Sequence, residues 1–108
     1  MRKSKINISG FKIGTAENRE GLTGVTVILA PDGGATAGVD VRGCAPGTRE
    51  TDLLDPRKTV QKIHAVVLSG GSVFGLEAAS GCVKYLAEQG VGFPIGNVCC
   101  LLYTSDAA

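Results

Sequence analysis

IHAVVLSGGSVFG, residues Ile63 to Gly75, decides the fold. An apolar, partly β-branched run from Ile63 to Leu68 ends at Ser69-Gly70-Gly71-Ser72, and a segment of helical character follows from Val73 to Gln89. The pattern predicts a buried strand, a tight glycine turn and a helix with Ser72 at its N-cap. Such a junction gathers backbone N–H groups and a hydroxyl at one place, where a site can form. In the helix, Leu76, Ala79, Val83 and Leu86 recur at helical spacing and mark the buried stripe. Gly75 and Gly81 each cost about 1 kcal/mol against alanine there, so something should pack closely on them. Gly90 is a C-terminal stop, and Val91 to Ile95 reads as a short strand limited by Pro94.

Upstream, Leu22 to Ala30 (LTGVTVILA) reads as an inner strand covered on both faces. Pro31-Asp32-Gly33-Gly34 is a turn, and Ala35 to Arg42 alternates in the manner of a strand, so the two runs are expected to pair as a hairpin. Residues 1–21 suggest one short strand around Phe11 and Ile13, then a loop through Gly21. Gly43 to Pro56 is a long irregular loop carrying Arg49, Glu50 and Asp52, and Pro56 to Gln61 reads as a helical turn. The order predicts an α/β or α+β domain with sheet packed on helix.

Composition narrows the function. The 108 residues suit one small domain, 44% hydrophobic and 19% charged. A formal net charge of +1 and the absence of Trp give no ground for nucleic-acid binding. No apolar run approaches the ~20 residues of a membrane helix, and the basic N-terminus lacks a following apolar segment, so no membrane association and a cytoplasmic location are expected. The four cysteines (Cys44, Cys82, Cys99 and Cys100) include no C-x-x-C pair, so neither a metal nor a disulfide framework is expected, and no cofactor.

The glycine turn comes close to three known motifs and completes none. A nucleophile elbow needs glycine two residues after the serine, where Phe74 stands; a phosphate loop needs lysine where Leu76 stands; the dinucleotide spacing is missing. Gly70 and Gly71 could simply turn the chain. His64 is the sole histidine, and no serine–histidine–carboxylate order surrounds it, which favours a structural role. Arg49 and Glu50 suit the charged ends of a substrate, or equally a solvated loop or an internal ion pair. Cys44 has only Arg42 and Arg49 nearby to activate it.

The blocks ISGFKIG, LTGVTVI, ATAGVDVRG, APGTRETDLL and KIHAVVLSGGSVFGL, followed by the glycine-broken helix, occur in one order over residues 8–96. In this order the run resembles the N-terminal part of the DmpA-type aminopeptidases, or L-aminopeptidase/D-esterases. The resemblance implies a truncated part of an α/β/β/α sandwich of the Ntn-hydrolase-like type. It further implies a precursor that cleaves itself to free an N-terminal serine nucleophile, peptide or amino-acid amide substrates, and a homo-oligomeric intact parent. In that family the catalytic residues lie beyond the end of this chain, so Ser72 is not the nucleophile and no catalytic residue is assigned. The residues expected near the pocket are Arg49, Glu50, Gly70, Gly71, Ser72 and Phe74. Cys44 stands where the family usually has glycine. Residues 1–96 read as the family segment and 97–108 as a foreign tail, since LLYTSDAA resembles a translated sequencing adaptor. The first expectation is therefore an N-terminal fragment of a self-cleaving serine aminopeptidase, inactive alone and poorly soluble because apolar faces stay uncovered. The alternative is a small non-enzymatic module binding an anion or phosphate at the Gly70–Ser72 turn; an independent hydrolase using Ser72 is a third reading.

Overall fold

The computed structural model describes residues 8–95, 98–100 and 103–107. Of the tail expected over residues 97–108, residues 98–100 and 103–107 are described, while 97, 101, 102 and 108 lie outside the described residues. The strands are β1 (Lys12–Asn18), β2 (Thr23–Leu29), β3 (Thr48–Arg49), β4 (Ala65–Ser69), β5 (Phe93–Ile95), β6 (Val98–Cys100) and β7 (Tyr103–Ala107); the helices are α1 (Ser72–Gly75) and α2 (Ala78–Glu88). Five strands form a mixed sheet in the order β1-β2-β4-β7-β3, and β5 pairs with β6 in a small antiparallel ribbon. Among the described strands only β4 and β7 run parallel. The coarse expectation of a sheet packed on a helix is met.

Register places the core. Val25, Val27 and Leu29 stand opposite Ser69, Val67 and Ala65 across the β2–β4 ladder. Because side chains alternate along a strand, these six share one face. That face receives the α2 stripe: Ala65, Val67, Ala79, Cys82 and Leu86 are buried, with Val25, Val27, Leu29 and Val83 packed around them. Leu76 is also buried. The helical stripe therefore lies as expected, with Val83 only half-buried and Cys82 added. Burial also pushes the Cys82 thiol pKa above its ordinary value, by desolvating the thiolate.

Four local expectations are corrected. First, β2 does not pair with Ala35–Arg42. Its two edges are taken by β1 and β4, and the later segment makes one isolated bridge, Ala35 to Ile63, with no strand over residues 36–42. Gly34 explains the diversion. Its φ is +84°, and a Cβ there would lie 2.9 Å from the Ile63 carbonyl oxygen, so the turn delivers the chain against Ile63 rather than back along β2. Second, residues 12–18 form a full seven-residue edge strand instead of a short strand and a loop. Every residue of β1 is exposed, which is why its polar sequence gave little strand signal. Third, β2 is half-buried throughout and not covered on both faces: Thr26 and Ile28 lie with Val66 and Leu68 on the face away from α2. Fourth, the helical turn falls at Thr51–Leu54, a 3-10 segment, ahead of the expected Pro56–Gln61.

Truncating Leu86 to alanine should cost about 2–5 kcal/mol of unfolding free energy, because it removes a buried side chain from the helix–sheet seam. Leu22→Ala, in the β1–β2 turn and 92% exposed, should stay within about 0.5 kcal/mol of the parent chain. Urea denaturation followed by circular dichroism checks both.

Candidate functional site

The Ser69–Gly75 turn leaves the C-terminal end of β4. Gly70 N–H donates to the Gly24 carbonyl at 2.9 Å, which ties the turn to the start of β2. Gly71 then has φ +95° and Ser72 φ +57°. Two successive left-handed residues reverse the chain, and the second is a non-glycine that pays for that conformation in backbone strain. Ser72 therefore does not cap the helix. Gly71 occupies the N-cap position, and no side-chain cap hydrogen bond is made. Ser72, Val73 and Phe74 project to solvent, Phe74 being 87% exposed.

Gly75 meets the requirement for close packing. A Cβ there would overlap the Gly70 carbonyl oxygen, so the first helical turn rests directly on the turn that precedes it. Gly81 does not meet it: a Cβ at that position encounters nothing within 4 Å. Between α1 and α2 the amide bonding tightens to i→i−3, with Glu77 N–H to Phe74 O, Ala79 N–H to Leu76 O and Ser80 N–H to Glu77 O. The predicted single helix is thus two helices joined by a tight 3-10-like step.

The long loop reaches this step. Arg49 ends β3, and its Nη1 donates to the Leu76 carbonyl at 3.3 Å and to Ser80 Oγ at 3.1 Å. Glu50, next in sequence, is exposed with φ +61°. Thr48 and Thr51 share a hydroxyl–hydroxyl bond of 3.0 Å that closes the loop base. The structure thereby joins the two sequence-predicted regions through Arg49, while Glu50 and the Ser72 hydroxyl face solvent. Cys44 is exposed in the same loop.

His64 is not paired with Ser72. The two stand beyond opposite ends of β4, whose five residues at about 3.3 Å each separate them by roughly 16 Å. His64 Nδ1 is buried without a hydrogen-bond partner among the described residues. Among the described residues no group of three His, Cys, Asp or Glu could hold a metal.

Three residues of the site escape sequence reasoning. Thr23 Oγ1 would lie 3.0 Å from a Cβ on Gly70, so the hydroxyl occupies the space that this glycine leaves. Ser69 is 5% exposed and its Oγ has no hydrogen-bond partner among the described residues. Ser80 receives Arg49 from far along the chain. Only the strand-to-turn position of Ser69 offered a signal. A notch of about 340 Å3 opens beside the turn, with Ala16, Thr23, Val25, Ser69, Phe74 and Ala78 on its walls. Ala16, Val25 and Ser69 lie in one row across the sheet, which makes its floor. The opposite sheet face carries a hollow of about 570 Å3, roofed by the irregular segment with Val39 and Val41 above Val66 and Leu68.

Gly75→Ala should destabilise the chain by more than about 1 kcal/mol, since the added methyl displaces the Gly70 carbonyl. Gly81→Ala, in an open helical position, should stabilise it by about 0.5–1 kcal/mol. The opposite signs of the two urea midpoints separate close packing from helix propensity.

The family model of peptidase family S58 matches residues 5–102. An uncharacterized aminopeptidase of Mycobacterium bovis is 53% identical over 77 residues, which are 69% of this chain and 22% of that protein. An uncharacterized aminopeptidase of Mycobacterium leprae is 56% identical over 66 residues, 61% of this chain and 18% of that protein. A 6-aminohexanoate-oligomer endohydrolase of Kocuria sp. is 38% identical over 85 residues, 79% of this chain and 21% of that protein. The chain spans about a fifth of the length of these relatives. No helix among the described residues is long and apolar enough to cross a membrane. The ordered blocks, the glycine-supported turn and a family match over nearly all of the chain converge: this chain belongs to peptidase family S58.

Proposed function

We propose that these residues form the N-terminal scaffold of a self-cleaving serine aminopeptidase that hydrolyses N-terminal residues from peptides, amides and esters. In this reading they are one part of an α/β/β/α sandwich of the Ntn-hydrolase-like type. The nucleophile is a serine freed by internal cleavage in the family length that this chain does not span. Its own α-amine serves as the base, and the hydroxyl attacks the scissile carbonyl while fixed donors hold the oxyanion. The Gly70–Phe74 turn and the Arg49–Glu50 loop border the substrate cleft.

The observation that carries the reading is the family match over residues 5–102. The relatives' names add support, since aminopeptidases and an oligomer endohydrolase both act on amide bonds. A module that binds phosphate at the Gly70–Ser72 turn gains nothing from the geometry. The helix that opens there is four residues long, and Ser72 makes no cap bond.

Residues 1–108 should release no nitroaniline from alanine p-nitroanilide. A parent chain of family length should split into two polypeptides, the second beginning with serine by N-terminal sequencing. Turnover by the 108-residue chain that disappears in Ser72→Ala would overturn the assignment of the nucleophile to residues outside it.

A further inference from the structure

We infer that Arg49 is a positioning residue, which holds the glycine turn in register through the helical step behind it instead of touching substrate. This rests on the reading that Gly70–Phe74 borders the cleft. Arg49 meets the helical run where its bonding pattern changes. The Leu76 carbonyl accepts Ala79 N–H at 3.1 Å, and the Ser80 amide turns to Glu77 O. Leu76 O therefore keeps a free lone-pair direction, which Arg49 Nη1 takes, while the same nitrogen reaches Ser80 Oγ. One guanidinium thus spans the 3-10-like step, contacting Leu76, two residues before α2, and Ser80 within its first turn.

The consequence runs back along the chain. Leu76 directly follows Gly75, and Gly75 rests on the Gly70 carbonyl. Any slide of the step changes that contact, and with it the left-handed pair Gly71-Ser72 and the direction of Phe74. Arginine suits the place because its planar guanidinium holds the two N–H bonds of Nη1 in fixed directions toward two fixed acceptors, whereas a lysine ammonium turns freely on a flexible stem. Arg49 is also half-buried, against the exposed guanidinium ion pairs of Arg19, Arg42 and Arg57.

The test uses Arg49→Ala, Arg49→Lys and Ser80→Ala. In the parent of family length, Arg49→Ala should raise KM for alanine p-nitroanilide about tenfold with kcat changed less than twofold, the signature of lost ground-state and transition-state binding alike. Arg49→Lys should rescue less than half of that rise. Ser80→Ala should reproduce part of it, and the double variant should fall short of the product of the single effects, as residues in one network do. In the 108-residue chain, the amide resonances of Gly70, Gly71 and Gly75 should shift in both Arg49→Ala and Ser80→Ala, whatever the peptidase reading proves to be. Unshifted glycine amides in Ser80→Ala would overturn the inference, as would full rescue of KM by lysine, which would mark a direct charge contact with substrate. A parent chain inert before any substitution would sink the peptidase reading alone and leave the amide shifts to decide the role of Arg49.

Discussion

No side chain fits between the first helical turn and the carbonyl of Gly70, and the rest of the architecture follows from that closeness. With hydrogen at Gly75, the helix starts directly on the end of β4. Leu76 then enters the core, and Ala79, Cys82 and Leu86 follow on the same stripe over Ala65 and Val67. A glycine in a helix sacrifices about 1 kcal/mol of propensity. Here the loss is offset by seating the helix at the depth its apolar stripe requires, since a shifted helix would leave gaps in a core otherwise packed at crystal-like density. The same seating brings the Leu76 carbonyl and the Ser80 hydroxyl within reach of Arg49, so fold and candidate site share one origin.

What could be read from the chain was whatever its own neighbours dictate. The buried run of β4, the glycine turn and the helical stripe announce themselves by period and by residue type. The strand of β2 did so as well, but its partner did not. Alternation from Ala35 to Arg42 reports that one face differs from the other and says nothing of which edge lies beside it. The Gly34 turn settles that by steering the chain to Ile63. β1 was harder still, because an exposed edge strand needs no apolar pattern and is held by its ladder to β2. Ser72 departs from its local pattern for a related reason. Serine before an apolar helix looks like a cap, yet Gly71 and Ser72 both adopt left-handed backbone to clear the Gly70 contact. Thr23, Ser69 and Ser80 belong to the site through space, across separations that no local pattern encodes.

The two sheet faces are unequal. One is filled by α2, and the other holds Ile28, Val66 and Leu68 beneath an irregular segment, with Leu68 still 46% exposed in mid-sheet. A central strand with a half-open apolar face has only one completed layer. This agrees with the small share of its relatives' length that the chain spans.

The contrast between Cys44 and Cys82 has a chemical consequence. Burial keeps the Cys82 thiol protonated and out of contact with solvent, whereas Cys44 stands exposed in the loop that leads to Arg49. Peroxide attacks thiolates that it can reach, and a sulfenic acid forms first on the accessible one. Between these two residues, oxidation therefore begins in the exposed loop and reaches the helix–sheet seam only after the protein has opened.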